Sequence, residues 1–138
     1  MPEIGWLLDT LSTWGSSRED IVAIALVGSY ARGAARPESD VDLIILAEDP
    51  DAYLSHPEWV GQFGEALRAA HEDWGRVQSL RVLHRGGPEV EFGFALPDWA
   101  GTAPVDEGTR RVVADGLRII FDRHGRLAAL ARAVAASA

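Results

Sequence analysis

The chain has 138 residues, of which 47% are apolar and 25% charged, and its formal net charge at pH 7 is −8. This composition is typical of a globular protein, and the length predicts one domain over residues 1–138. The absence of cysteine excludes disulfides and thiolate metal sites. All thirteen basic residues are arginine, which excludes mechanisms that need a lysine amine.

The negative net charge also constrains which partners the protein can bind. It disfavours broad nucleic-acid binding, because phosphates repel a negatively charged protein. It would suit divalent cations or a cationic substrate, although surface acidity also serves solubility alone. No segment approaches the roughly 20 apolar residues that cross a bilayer, and the residues after Met1 lack the pattern of a signal peptide. We therefore expect no membrane partner and a cytoplasmic location.

In the first half of the chain, two buried strands frame a polar segment. The apolar spacing predicts a helix over residues 4–14, strands over residues 21–27 and 43–46, and a short helix over residues 29–35. Residues 48–51 are predicted to form a turn or loop. Two polar motifs, Gly28-Ser29 and Asp40-Val41-Asp42, therefore stand at strand ends.

The second half mixes helices with a hairpin. Residues 57–71 have apolar side chains at helical spacing (Trp59, Val60, Phe63, Leu67 and Ala70), which predicts a long helix. Further on, the pattern predicts strands over 77–84 and 89–96 paired as a hairpin, a loop over 97–108, a helix over 109–115, a strand over 117–121 and a helix over 127–136. The whole predicts the α/β (α+β) class, with a mixed β-sheet flanked by helices.

Gly28 and Ser29 follow a strand and open a predicted helix. Glycine lets a phosphate approach the backbone because it has no Cβ. Free N–H groups at a helix start favour an anion, and the Ser29 hydroxyl adds a donor. The alternative is an ordinary turn and helix cap.

Asp40 and Asp42 are two positions apart, so on a strand both side chains point to one face. Carboxylates about 6–7 Å apart along a strand can reach one hard cation or a pair of them. Mg²⁺ is typically held by one or two carboxylates plus substrate phosphates. Two ions could stabilise both the attacking and the leaving oxygen of an in-line phosphoryl displacement. The alternative is a pair of solvated acids that begin a strand.

A third acid would complete such a site. Glu91 stands between Val90 and Phe92 in an otherwise apolar strand, where a charge is costly unless it has a cation to bind. Glu89 would share its face and is a competing candidate nearer the turn. The alternative is that Glu89 and Glu91 are both solvated acids at the edge of the sheet.

Together these residues resemble a known family. Gly28-Ser29, Arg32-Gly33, residues 39–43 (Ser-Asp-Val-Asp-Leu) and Val90-Glu91-Phe92 are similar to the motifs of the nucleotidyltransferase superfamily of DNA polymerase beta. The resemblance covers residues 21–96. It is nearest to the small stand-alone members, whose relatives include aminoglycoside and lincosamide nucleotidyltransferases and minimal nucleotidyltransferase antitoxins. It implies a nucleotidyltransferase fold and transfer of a nucleoside monophosphate, AMP being the expected one, from a nucleoside triphosphate to a hydroxyl, with release of pyrophosphate.

The resemblance also implies roles for individual residues. Asp40, Asp42 and Glu91 would be the catalytic acids and would hold two Mg²⁺ ions, with Glu91 alternatively serving as the base for the acceptor hydroxyl. The nucleotide would be bound by the residues Gly28, Ser29, Arg32 and Ser39. Arg36 could also neutralise phosphate charge, but a solvent-facing role is the preferred interpretation.

The acceptor site is the open question at this stage. Antibiotic-modifying relatives usually carry a second, helical domain, whereas here only residues 101–138 follow the last motif strand. The acceptor, a small molecule or a protein, would then be bound by loops such as the one containing Asp98, Trp99 and Asp106, by a second copy in a homodimer, or by a partner protein. The alternative function is a catalytically weak binding or regulatory module, such as an antitoxin-like partner of another protein.

Overall fold

The computed structural model describes residues 3–137, so the first two residues and the last residue of the predicted domain lie outside the described part. Within it the elements are, in chain order, α1 (Gly5–Ser16), β1 (Ile21–Val27), α2 (Gly28–Ala31), β2 (Val41–Ala47), α3 (Pro50–Ser55), a 3₁₀ helix (Pro57–Phe63), β3 (Ala66–Trp74), β4 (Val77–His84), β5 (Glu89–Ala95), a second 3₁₀ helix (Pro97–Ala100), α4 (Glu107–Asp115), β6 (Leu117–Asp122) and α5 (Arg126–Ala136). None of these described helices combines the length and the apolar character needed to span a bilayer.

The described strands form one sheet in the order β3-β4-β5-β2-β1-β6. Every neighbouring pair is antiparallel except β2 and β5, which run parallel. All seven residues of β1 are buried, which explains its unbroken apolar sequence. The predicted α+β class, with a mixed sheet flanked by helices, is confirmed.

Each face of the sheet carries its own apolar core. On one face, α1, α3 and the first 3₁₀ helix bury a cluster of aromatic rings that comprises Trp14, Tyr53, Trp59, Phe63, Phe92 and Phe94. On the other face, α5 and the second 3₁₀ helix pack over the sheet with the apolar side chains of Leu127, Leu130 and Trp99. Helix α4 lies on this second face as well, and a cleft remains between α4 and the sheet.

Strand directions bring the sequence motifs to one edge. Because β1 and β2 are antiparallel, β1 ends beside the start of β2, with Val27 opposite Asp42. Because β2 and β5 are parallel, their first residues lie at the same edge. The end of β1 and the beginnings of β2 and β5 therefore meet, and with them the motifs that the sequence placed at strand ends.

The predicted helix over residues 57–71 is wrong. A 3₁₀ helix ends at Phe63, and Gly64 follows with φ +126°, a conformation that continues no helix. The chain then forms the edge strand β3, which pairs with β4 across a turn at Gly75 (φ +78°). The helical spacing holds only for the buried Trp59, Val60 and Phe63, whereas Leu67 is exposed. Pairing with β4 overrode the helix preference of an alanine-rich segment.

Three shorter predictions also need correction. Helix α2 ends at Ala31, before residue 35, and Gly33 with φ +71° follows it. Residues 48–51 contain the start of α3, because Pro50 occupies a first-turn position where its missing N–H is not needed. The loop over 97–108 contains the second 3₁₀ helix and the first two residues of α4. The hairpin of β4 and β5 is confirmed.

Gly93 provides a test of the close pairing of β2 and β5. A Cβ on Gly93 would lie 2.8 Å from the Leu43 carbonyl oxygen and 2.9 Å from Val77 Cγ1. Gly93→Ala should therefore lower the free energy of unfolding by about 1–3 kcal/mol. A Cβ on Gly61 would have no neighbour within 4 Å, so Gly61→Ala should stay within about 0.5 kcal/mol of the wild type. Urea unfolding followed by circular dichroism measures both, and equal effects would contradict the close approach.

Candidate active site

A row of charged side chains crosses the sheet at the edge where the motifs meet. Asp42 of β2 lies opposite Glu91 of β5, and Glu91 lies opposite Arg81 of β4. Residues directly opposite one another present their side chains on the same face. Asp42 and Glu91 also line the cleft on the second face, so the row opens into it.

The environment of Asp42 disfavours its negative charge. The pKa of Asp42 is raised to about 7, first by burial and then by the hydrogen bond and the negative charge of Glu91. The charge of Asp40 adds to the rise, whereas Arg81 opposes it. Asp42 and Glu91 are thus carboxyl groups close enough to share a proton, and a cation between them would relieve their repulsion.

Gly28 lies directly against Asp42. Its φ is +71°, and a Cβ at this position would lie 2.5 Å from Asp42 Oδ2. Gly28 begins α2, a helix of four residues. Glycine is therefore required here for two reasons, the left-handed backbone and the approach of the carboxylate. Gly28 lines the same cleft as Asp42.

Arg81 binds the acids that the sequence assigned to a metal. Its Nη1 lies 2.5 Å from Asp40 Oδ2, and its Nη2 lies 3.2 Å from Glu91 Oε2. Its Nε donates to both carboxylate oxygens of Glu72 at 3.2 Å. The hydrogen bonds to Glu72, first, and to Asp40, together with the negative charges of Glu91 and Asp40, raise the pKa of the Arg81 guanidinium above its ordinary value. The arginine therefore stays charged within the cluster.

Sequence reasoning missed Arg81, although a signal was present. Arg81 stands between Leu80 and Val82 in a predicted strand of apolar pattern. The same signal, a charge between two apolar residues, identified Glu91. Applied to both strands of the hairpin, it would have paired the two charges.

The structure distinguishes between the two candidates for the third acid. Glu91 lies in the row beside Asp42, and Glu91 Oε1 accepts a hydrogen bond of 2.8 Å from Trp74 Nε1. Glu89 lies further toward the turn, opposite Leu83, with its carboxylate 3.9 Å from Arg81 Nη1. The geometry therefore favours Glu91 as the partner of Asp42.

Two of the predicted nucleotide-binding residues have other partners. Arg32 Nη1 lies 2.6 Å from Asp115 Oδ2 at the end of α4. The Ser39 hydroxyl accepts a hydrogen bond from the Arg36 backbone N–H at 2.8 Å and so closes the turn before Asp40. The structure brings Gly28, Asp42 and Glu91 together, with Ser29 adjoining them in the chain. It pairs Arg32 with Asp115 and Ser39 with the Arg36 backbone instead.

The cleft has a volume of about 570 Å³. Its floor is apolar and includes Ile44, Val77 and Trp99, and its rim carries Arg76 and Arg111. A cleft of this size and character is large enough for a nucleotide-sized molecule.

The loop residues predicted to wall an acceptor pocket separate into two groups. Trp99 is buried and lines the floor of the cleft. Asp106 also lines it and caps α4 by accepting a hydrogen bond from the Thr109 backbone N–H. Asp98 is exposed and pairs with Arg76 at 3.3 Å. Their role toward an acceptor stays a prediction.

The carboxylates of the site are chemically suited to bind a divalent cation, but they are not arranged as a complete set of ligands. Among residues 3–137, no three acidic or histidine side chains are arranged to hold one ion together. Asp42 and Glu91 are nevertheless two hard oxygen ligands in contact, of the kind that Mg²⁺ prefers. Asp40, the third, is turned toward Arg81.

Comparison with known proteins identifies the family of the chain. The model of the nucleotidyltransferase domain family matches residues 8–83, which is more than half of the chain. The chain therefore belongs to the nucleotidyltransferase domain family, as its motifs predicted. No curated protein sequence matches the chain.

Solved structures share the fold at low sequence identity. An aminoglycoside 6-adenyltransferase from Bacillus subtilis is similar with a TM-score of 0.56 and 13% identity, over 72% of this chain and 37% of that one. A toxin-antitoxin crystal structure with AMP-PNP is similar with a TM-score of 0.52 and 13% identity, over 94% of this chain and 85% of that one. This chain thus spans little more than a third of the adenyltransferase and most of the toxin-antitoxin chain. The predicted nucleotidyltransferase fold is confirmed.

Gly28 and Gly33 form a matched pair for testing the contact with Asp42. Both have φ +71°, but a Cβ on Gly33 would have no neighbour within 4 Å. Alanine at either position should lose about 1–2 kcal/mol of stability to the left-handed backbone. Gly28→Ala should lose at least about 1 kcal/mol more through its clash with Asp42, as measured by urea unfolding.

The control uses the Asp42→Ala background, in which the carboxylate is absent. There the extra cost of Gly28→Ala over Gly33→Ala should disappear. An extra cost that persists without the carboxylate would show that the contact with Asp42 is not its cause.

Proposed function

We propose that this chain transfers a nucleoside monophosphate, with AMP as the first candidate, from a nucleoside triphosphate to a hydroxyl and releases pyrophosphate. The acceptor would be a small molecule or a protein. The observation that carries the proposal is the meeting of Asp42 and Glu91 across adjacent strands, beside Gly28 and at the mouth of an open cleft. Membership of the nucleotidyltransferase domain family supports it.

Asp40, Asp42 and Glu91 would hold two Mg²⁺ ions in this proposal. The raised pKa of Asp42 supports a cation there, because a bound cation would offset both the burial of the carboxyl group and the negative charge of Glu91. When bound, such ions screen the triphosphate and stabilise the attacking and leaving oxygens.

The residues of the chain would supply binding and proton transfer. Gly28 leaves room for a phosphate close to the backbone, and Ser29 would donate its hydroxyl. Arg32 and Ser39 would contribute to phosphate binding, Arg32 after leaving Asp115. Glu91, beyond its role as ligand, could accept the proton of the acceptor hydroxyl.

Two observations support adenine as the first base to test. One similar structure is described as an adenyltransferase, and the other contains AMP-PNP. At 13% identity these similarities extend to the fold alone, so the choice of base is a starting point for the experiment.

A second candidate function is a regulatory module with little catalysis. The observation that favours it is size, because this chain covers 85% of the toxin-antitoxin chain and only 37% of the adenyltransferase. In this reading the chain would bind a protein partner, as an antitoxin binds its toxin. In either reading, a partner protein or a second copy of the chain could complete the walls of the acceptor site.

Calorimetric titration with ATP, GTP, CTP and UTP, each with Mg²⁺ and with EDTA, tests the proposal. One triphosphate should bind only with Mg²⁺, and Asp42→Asn should weaken its binding by at least about tenfold, because it removes a metal ligand. Asp9→Asn is the matched control, since Asp9 is an exposed residue of α1, which packs on the opposite face of the sheet. It should bind like the wild type.

The outcomes separate the two candidates. Mg²⁺-dependent binding followed by pyrophosphate release with an acceptor from a screen would establish transfer. Binding that does not depend on Asp42, without pyrophosphate release, would favour the regulatory module. Failure of all four triphosphates to bind would contradict the proposed activity of this chain.

A further inference from the structure

All three nitrogens of the Arg81 guanidinium bind carboxylates. Nη1 is held by Asp40 at 2.5 Å, Nη2 by Glu91 at 3.2 Å and Nε by Glu72 at 3.2 Å. Its side chain is only 25% exposed, which strengthens these pairs relative to those on an open surface. Two of its partners, Asp40 and Glu91, are the acids assigned above to the metal ions.

A guanidinium and a divalent cation would compete for these acids. Asp40 Oδ2 already accepts a short, charge-assisted hydrogen bond from Nη1. An ion bound to the same carboxylate would be a second positive charge within a few ångströms of the first, and the two would repel. Coordination by both oxygens of Asp40 therefore requires Arg81 to release this carboxylate, and the repulsion favours that release.

We infer that Arg81 is a positioning residue that holds Asp40 and Glu91 in the metal-free protein and is displaced from them when a divalent cation binds, while Glu72 retains it. This inference rests on the metal-dependent transfer proposed above. It accounts for the lack of a finished three-carboxylate metal site among the described residues, because Asp40 is turned toward the arginine.

Glu72 is suited to retain the arginine because it lies outside the sequence motif. It belongs to the edge strand β3, which pairs with β4 on the side away from β5, and it binds Arg81 through Nε. Both of its oxygens lie 3.2 Å from Nε, the nitrogen nearest the aliphatic stem. The outer two nitrogens can leave Asp40 and Glu91 while this contact persists.

The balance of charge indicates what the metal-free protein would lose without Arg81. The carboxylates Asp40, Glu72, Glu89 and Glu91 all lie within 3.9 Å of its nitrogens, and Asp42 adjoins Glu91. Without Arg81 these like charges would face one another with no cation among them. The arginine and the metal should therefore substitute for each other in stabilising the fold.

The test compares Mn²⁺ affinity and thermal unfolding in three variants. Arg81→Gln removes the competitor and should bind Mn²⁺ about tenfold more tightly than the wild type, as measured by calorimetry. Its metal-free melting temperature should fall, and Mn²⁺ should raise it by more than in the wild type. Arg85→Gln is the control, since Arg85 follows the same strand and pairs with the exposed Glu65. It should change neither quantity.

Arg81→Lys separates the hydrogen-bonded fork from charge alone. Lysine keeps the positive charge but cannot bind three carboxylates in the geometry of a guanidinium. If Arg81 acts by holding the acids, this variant should also bind Mn²⁺ more tightly than the wild type. It keeps the charge balance of the cluster and so serves if Arg81→Gln fails to fold.

Each remaining outcome overturns a defined part of the account. Mn²⁺ affinities equal to the wild type in both Arg81 variants would overturn the inference and leave the proposed function standing. If Arg81→Gln binds Mn²⁺ more tightly but Arg81→Lys binds it like the wild type, then the positive charge of Arg81 alone opposes the ion. That result would also overturn the inference. Absence of Mn²⁺ binding in the wild type and in every variant would overturn the metal-dependent function along with it.

Discussion

The parallel pairing of β2 with β5 is the constraint on which the candidate site depends. In a sheet that is otherwise antiparallel, this one pair aligns the beginnings of two strands and sets Asp42 opposite Glu91. The pair is packed closely, because Gly93 lets the Leu43 carbonyl approach without a side chain in the way. A shift of one residue in the register would turn one of the two carboxylates to the aromatic core on the opposite face.

This arrangement places the negative charges of Asp42 and Glu91 together, and the surrounding residues partly offset their repulsion. The pKa of Asp42 is raised by burial and by Glu91, Gly28 gives its carboxylate room, and Arg81 supplies a positive charge from the next strand. A fold selected for stability alone has no reason to concentrate acids in this way. The concentration of negative charge is local to the cleft, which supports the cation and the polyanionic substrate proposed above.

The sequence predicted the parts of the site that follow from short-range pattern. Apolar runs located β1 and β2 and placed Gly28 and Asp42 at strand ends, whereas the contact between them became visible only in the structure. Two features depended on long-range pairing and were missed: β3, whose alanine-rich sequence has helical spacing, and the partnership of Arg81 with Asp40, 41 positions away. The assignment of one domain, the cytoplasmic location, the absence of broad nucleic-acid binding and the roles of individual site residues stay predictions.

The central claim is that Asp42 and Glu91 form a coupled carboxyl pair awaiting a cation, and carbon-13 NMR titration of the side-chain carboxyl groups tests it most directly. Without divalent ions, one carboxyl should titrate with a pKa of about 7 and disappear from the spectrum in Asp42→Asn. Saturating Mg²⁺ should move that titration to lower pH, because a bound cation favours the charged form. If every carboxyl titrates near its ordinary value with or without Mg²⁺, the coupled pair does not exist and the account of the site is wrong.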